Sequence, residues 1–168
     1  MKIHNTPLNS ALKVVKKEQI KRIISIYSPN NSFPLFPEVK AKNILRLCFN
    51  DIDHLRDNLK PVSQRDIRKI LKFAMASQQN SDILIHCFAG VSRSIAISII
   101  IYFMHNRNIR PSDLYDLVME KAPFASPNKL VLKQAGRVLK EEHFFQELVK
   151  NFTQAKRTFG SVPFYLNF

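Results

Sequence analysis

At 168 residues, with 45% hydrophobic and 23% charged residues, the chain is long enough to bury one sizeable core and too ordinary in composition for wholesale disorder. Two cysteines exclude a disulfide framework and favour free thiols in a cytoplasmic setting. The formal net charge of +13 attracts anions, whether phosphorylated protein, nucleic acid or acidic membrane, and does not choose among them. A solvated basic surface without a specific partner is the bland alternative.

Met1–Pro7 lacks the apolar core and small-residue cleavage site of a signal peptide. From Leu8 to Gln19, apolar Leu8, Ala11, Leu12 and Val15 alternate with Lys13, Lys16 and Lys17, the pattern of a helix with one basic face. Arg22–Tyr27 reads as a short strand, stopped by Ser28-Pro29-Asn30-Asn31, and Pro34 and Pro37 make the next stretch irregular. Asn43–Phe49 is a second strand, running into the polar turn Asn50–His54. Ser63 is placed to cap a helix with Asp66 in capping-box position, and Ile67, Ile70, Leu71 and Ala74 form its apolar face. Asp82–His86 is almost wholly apolar, as a buried parallel strand should be. The apolar run Ile95–Met104 is about half the ~20 residues that a membrane span requires, so a buried helix from Ser94 to His105 is expected. Ser112 can cap a helix carrying Leu114, Leu117 and Val118, and after the loop Ala122–Pro127 one long final helix is expected, with Val131, Ala135, Val138 and Leu139 on one side. Beyond Phe152 the periodicity fades. Strands separated by helices predict an α/β fold with a central, mostly parallel sheet flanked by helices on both faces.

The strongest chemical signal is the strand–loop–helix at His86-Cys87-Phe88-Ala89-Gly90-Val91-Ser92-Arg93-Ser94. One of only three glycines sits at Gly90, where a tight loop needs a backbone free of side-chain clash. Five residues between Cys87 and Arg93 allow one turn of backbone with inward N–H groups, closed by a helix N-terminus: an anion site. The same environment stabilises a thiolate, and Arg93 adds a planar fork that matches two phosphate oxygens. Nucleophile and phosphate then share one cradle, arranged for in-line attack.

His-Cys-x-x-Gly-x-Ser-Arg-Ser resembles the signature of the dual-specificity branch of cysteine-dependent protein tyrosine phosphatases, and the region from about Ile23 to Leu139 looks like small bacterial members of that superfamily. The resemblance implies a single domain over 1–152 with a tail, 153–168, either docked or mobile. It implies a phosphocysteine intermediate on Cys87, later released by water, with no metal or other cofactor. It implies that Arg93 and the loop Phe88, Ala89, Gly90, Val91 and Ser92 hold phosphate, and that Ser94 eases departure of the thiolate. An upstream aspartate protonates the leaving oxygen. Leu-x-Phe-Asn-Asp-Ile resembles the acid loop of the bacterial relatives and favours Asp51, with Asp53 the alternative and Asp57 a distant third. Asn128, in Ala125-Ser126-Pro127-Asn128, resembles the residue that buttresses the phosphate loop, and His86 is expected as a hydrogen-bonding support rather than a base.

Each residue also has a plainer reading. A lone cysteine is more often a core thiol, an aspartate after a strand a turn former, and Asn128 a helix N-cap. Cys48, His86 and Cys87 lack zinc-ligand spacing, and adjacency is the wrong geometry for a Cys–His couple. Phe88, Ala89 and Val91 put no cation inside the loop, which disfavours a highly phosphorylated inositol and favours a phosphorylated protein or peptide. An RNA 5′-phosphatase, a non-catalytic phosphate-binding module and a sulfur-transfer protein are the rivals. Phe159, Phe164, Tyr165 and Phe168 are candidates to cover a groove or join two copies.

Overall fold

Short runs of isoleucine and leucine extend because β-branched and aliphatic side chains pack well on a pleated surface, and here they build the sheet that carries the Cys87 loop. In the computed structural model, residues 1–76, 81–155, 158 and 160–167 are described. Among them, the chain runs β1 (Lys2–Pro7), α1 (Leu8–Lys17), β2 (Ile23–Tyr27), β3 (Ile44–Cys48), α2 (Gln64–Met75), β4 (Ile83–Cys87), α3 (Arg93–His105), α4 (Pro111–Lys121), α5 (Lys129–Leu139), α6 (Glu142–Gln154) and β5 (Phe164–Asn167). The sheet order is β3-β2-β4-β1-β5. The first four strands are parallel and β5 runs antiparallel to β1 along one edge, so the sheet is mixed.

Alternation along the strands sorts the two faces. Ile24, Ile26, Leu47, Ile83, Ile85 and Cys87 join the larger core with residues of α2 to α6. Ile23 and Leu84 face the smaller core, closed by Ala11 and Val15 of α1 and by Phe36 and Val39 of the β2–β3 connection. Helix α3 is buried nearly all round, which explains the unbroken apolar run Ile95–Met104. No helix among the described residues is long and apolar enough to cross a membrane.

Four features differ from the sequence expectation or extend it. Lys2–Pro7 forms β1 beside β4, although His4, Asn5 and Thr6 are polar; all three are buried, and Asn5 bonds to Ser98. The single final helix is two, because Lys140 takes a left-handed conformation (φ 58°) that ends α5. Helix α4 begins on Pro111, whose fixed φ suits a first helical position, so Ser112 lies inside the helix rather than at its cap. Phe164 and Tyr165 lie in β5, paired to Asn5 and His4. Phe159 and Phe168 fall outside the described residues. The expected capping box at Ser63 and Asp66 is present.

Candidate active site

The segment Cys87–Arg93 links the end of β4 to the start of α3, and four of its carbonyls find partners outside the loop. Phe88 O accepts the Leu8 N–H at 3.1 Å, Ala89 O the Ser161 hydroxyl at 2.7 Å, Val91 O the Ser126 N–H at 3.0 Å, and Ser92 O the Asn128 N–H at 3.3 Å. In a planar trans peptide the next residue's N–H points opposite to the carbonyl. Outward carbonyls therefore turn the N–H groups of Ala89, Gly90, Ser92 and Arg93 inward. The Gly90 N–H donates to Cys87 Sγ at 3.3 Å. Gly90 has φ +71°, and a Cβ there would stand 2.5 Å from the Pro7 nitrogen, so both the turn and the approach of β1 require glycine.

Cys87 is 1% exposed, with Ser94 Oγ 3.2 Å from its sulfur. Ser94 in turn donates to Asn5 Oδ1 at 3.3 Å, and the Asn5 amide donates to Ser98 Oγ at 3.1 Å. The sulfur thus lies under the loop in a polar cradle at the N-terminal end of α3.

Arg93 is 4% exposed and locked on one edge: Nη1 donates to Phe49 O at 2.9 Å and to Ser28 Oγ at 3.1 Å. Its Nε lies 3.5 Å from Asp51 Oδ2, an ion pair without hydrogen-bond geometry that leaves a buried N–H unsatisfied. An orphaned guanidinium N–H beside a ring of inward amides is what an anion would complete.

Asp51 ties the β3–α2 loop to this centre. Its Oδ1 accepts the Ser92 hydroxyl at 2.6 Å and the Asn128 amide at 2.8 Å. Asn128 also donates to Ile52 O at 3.1 Å, while its oxygen caps α5 by accepting the Val131 N–H at 2.9 Å. The Asn128 side chain thus holds the β3–α2 loop and caps α5, and the Cys87 loop is reached by its peptide N–H, bonded to Ser92 O. Asp53 points elsewhere: its Oδ1 accepts the Lys129 N–H at 3.0 Å, at the start of α5. Asp57 is exposed.

His86 departs from the expectation of a hydrogen-bonding support. It is fully buried, packs edge-on against Tyr27 and Phe36, and neither ring nitrogen meets hydrogen-bond geometry. The reason is alternation: adjacent to Cys87, it points to the opposite, aromatic face of the sheet. Burial pushes its pKa down to about 4, against a weaker upward pull from the Cys87 backbone.

Beside Arg93 opens a cavity of about 370 Å³ lined by Tyr27, Ser28, Asn31 and Phe88, the last 70% exposed. Sequence reasoning missed Asn5, Ser28 and Ser98, which orient the serine and arginine. Only the polarity of Asn5 in an otherwise strand-like stretch could have signalled it. The described residues contain no cluster of His, Cys, Asp and Glu able to hold a metal ion.

A family model described as the catalytic domain of dual specificity phosphatases matches residues 3–138. Dual specificity protein phosphatase 6 from Homo sapiens is 34% identical over 119 residues, which cover 70% of this chain and 29% of that protein. The chain thus spans about three tenths of that relative's length. Among solved structures, DUSP15 superposes with a TM-score of 0.64 at 21% identity, covering 90% of both chains, a likeness of fold. The human tyrosine phosphatase-like serine/threonine/tyrosine-interacting protein gives 0.64 at 25% identity, covering 82% of this chain and 91% of the other. With its Cys87 loop lying inside the matched region, the chain belongs to the dual specificity phosphatase family of cysteine-dependent protein phosphatases.

Proposed function

We propose that the chain hydrolyses phosphate monoesters on protein side chains, phosphotyrosine and also phosphoserine or phosphothreonine, through a phosphocysteine on Cys87. The observation that carries this reading is the buried, hydrogen-bond-deficient Nε of Arg93 at a loop whose Cys87 sulfur already receives the Gly90 N–H. Phosphate oxygens would take the inward N–H groups and the free edge of the guanidinium, leaving phosphorus above sulfur.

The Cys87 thiolate attacks phosphorus; an S–P bond forms as the P–O bond to the side chain breaks. Asp51, as general acid, gives a proton to the leaving oxygen. Water then attacks phosphorus, yielding its proton to the Asp51 carboxylate. The S–P bond breaks, inorganic phosphate departs, and the Ser94 hydroxyl donates to the returning thiolate. Asp51 suits the acid role better than Asp53, because it contacts Ser92, Arg93 and Asn128 whereas Asp53 holds the start of α5. The cavity walled by Tyr27 and Phe88 gives an aromatic lining to receive the phosphorylated residue.

The test is hydrolysis of a series of aryl phosphates by purified protein. Cys87→Ser should abolish turnover, and Asp51→Asn should slow it most for the most basic leaving groups. Equal rates in wild type and Cys87→Ser would reject the reading.

A further inference from the structure

The groove between α5 and α6 is a second feature of this side of the molecule. Lys129, Lys133 and Arg137 recur every four residues and form one ridge of α5. No ion pair or hydrogen bond engages any of these three side chains among the described residues. The ridge borders a cavity of about 330 Å³ floored by Phe145 and Val149 of α6.

We infer that this groove docks an acidic stretch of the phosphoprotein substrate, on one side of the phosphorylated residue. The inference rests on the phosphatase reading of the Cys87 loop. Position supports it: the groove starts at Lys129, next to Asn128, whose amide holds Asp51, and Asp53 lines its near end. The eight helical steps from Lys129 to Arg137 span about 12 Å, which an extended peptide covers in roughly four residues. Acidic side chains within about six positions of the phosphorylated residue can therefore reach the ridge.

Charge selects the occupant. Two carboxylates also line the groove. The Asp53 oxygen is committed to the Lys129 N–H, and Glu142 stands at the far end, its Cα close to Gly136. Three cations against these two carboxylates leave the groove lining with a net positive charge. A single-stranded nucleic acid would want exposed aromatic faces for base stacking, and Phe145 is buried in the floor. A membrane surface would not enter a concave groove.

The experiment compares paired phosphopeptides that differ only in three flanking glutamates or glutamines, with an aryl phosphate as the small substrate. Wild type should favour the acidic peptide by roughly threefold to tenfold in kcat/KM, the size that two or three exposed ion pairs give. The preference should shrink at high salt. Lys133→Gln/Arg137→Gln should bring the ratio close to one through KM, with aryl phosphate turnover unchanged. A ratio of one in wild type, or one that survives in the double variant, overturns the proposal. Affinity of the same peptides for Cys87→Ser, read by fluorescence anisotropy, separates the two readings. If wild type leaves the aryl phosphate intact, the phosphatase assignment fails, and the anisotropy ratio alone decides the groove. Tighter binding of a 5′-phosphorylated oligoribonucleotide of equal charge, lost in the double variant, would also overturn the acidic-peptide assignment.

Discussion

The side-chain amide of Asn128 donates to Asp51 Oδ1 at 2.8 Å across 77 positions of sequence, while the oxygen of the same group caps α5 through the Val131 N–H at 2.9 Å. One buried residue thereby fixes the loop that carries Asp51 to a helix start, and its peptide N–H also binds Ser92 O. Asn128→Ala removes a cap and strands the Ile52 carbonyl. The expected cost is about 2–4 kcal/mol, or roughly 5–15 °C in Tm. Asn128→Ser restores a capping oxygen but neither bond to the Asp51 loop. It should recover about 1 kcal/mol of that loss by denaturant unfolding and little of the lost kcat. Full activity in Asn128→Ala would refute the buttress.

Gly90 and Gly160 both have positive φ, yet only Gly90 is crowded: its added Cβ would meet the backbone of Thr6 and Pro7, and that of Gly160 meets nothing within 4 Å. Gly160→Ala should carry only the backbone term of about 1–2 kcal/mol. Gly90→Ala adds a clash that β1 cannot relieve without moving. Its Tm should fall further than that of Gly160→Ala, and phosphate affinity should drop at least tenfold. Calorimetry and phosphate titration measure the two; equal Tm losses would contradict the contact with Pro7.

The buried imidazole of His86 gives stability a slope in acid. Its folded pKa, about 4, lies below its ordinary value of 6.5 because burial disfavours the charged ring. Between those values the unfolded chain binds a proton that the folded chain refuses. Stability is therefore present above about pH 6.5 and is lost as pH falls towards 4. From pH 7 to pH 4.5 the loss from this residue should be about 2–3 kcal/mol. Urea unfolding of wild type and His86→Gln at both pH values isolates it, since other groups titrate alike in both. Whatever its stability at pH 7, the variant's slope should be shallower by that amount; identical slopes would mean the ring is charged when folded.

What the sequence disclosed follows from how locally each element is determined. The path from β4 through Gly90 and Arg93 into α3 was legible because strand, loop and helix are contiguous, and the one glycine sits where the turn needs it. The Ser63–Asp66 box was legible for the same reason. Strand β1 was not, since Asn5 is tolerated in the interior only because Ser94 and Ser98, about ninety positions on, satisfy it. The preference for Asp51 over Asp53 came from resemblance, and spacing alone could not have separated two exposed carboxylates two residues apart. The missed break at Lys140 has a simpler cause: the left-handed position is filled by lysine instead of the glycine that would mark a helix end.

That lysine suggests a direct check. Lys140 is exposed and strained at φ 58°, so Lys140→Gly should stabilise the chain by up to about 1 kcal/mol and raise Tm by roughly 2–4 °C, with kcat unchanged. A fall in Tm would mean that the side chain makes a contribution larger than its strain.

Ser94 has one hydroxyl proton and two acceptors for it, Asn5 Oδ1 at 3.3 Å and Cys87 Sγ at 3.2 Å. While the cysteine is a thiol it can supply its own proton to that contact, and the serine proton rests on Asn5. In the proposed reaction sulfur leaves as an anion when the S–P bond breaks, and the hydroxyl then has to turn towards it. Ser94→Ala removes that hydroxyl donor, so the second step should slow more than the first. Losing one donor to a developing anion costs roughly 10²-fold. Rapid mixing with an aryl phosphate should then give a burst of phenol close to one equivalent of enzyme, followed by slow turnover. Cys87→Ser should give no burst at all. A Ser94→Ala protein that loses steady-state rate without a burst would place the hydroxyl's effect on the first step and remove it from the release of sulfur.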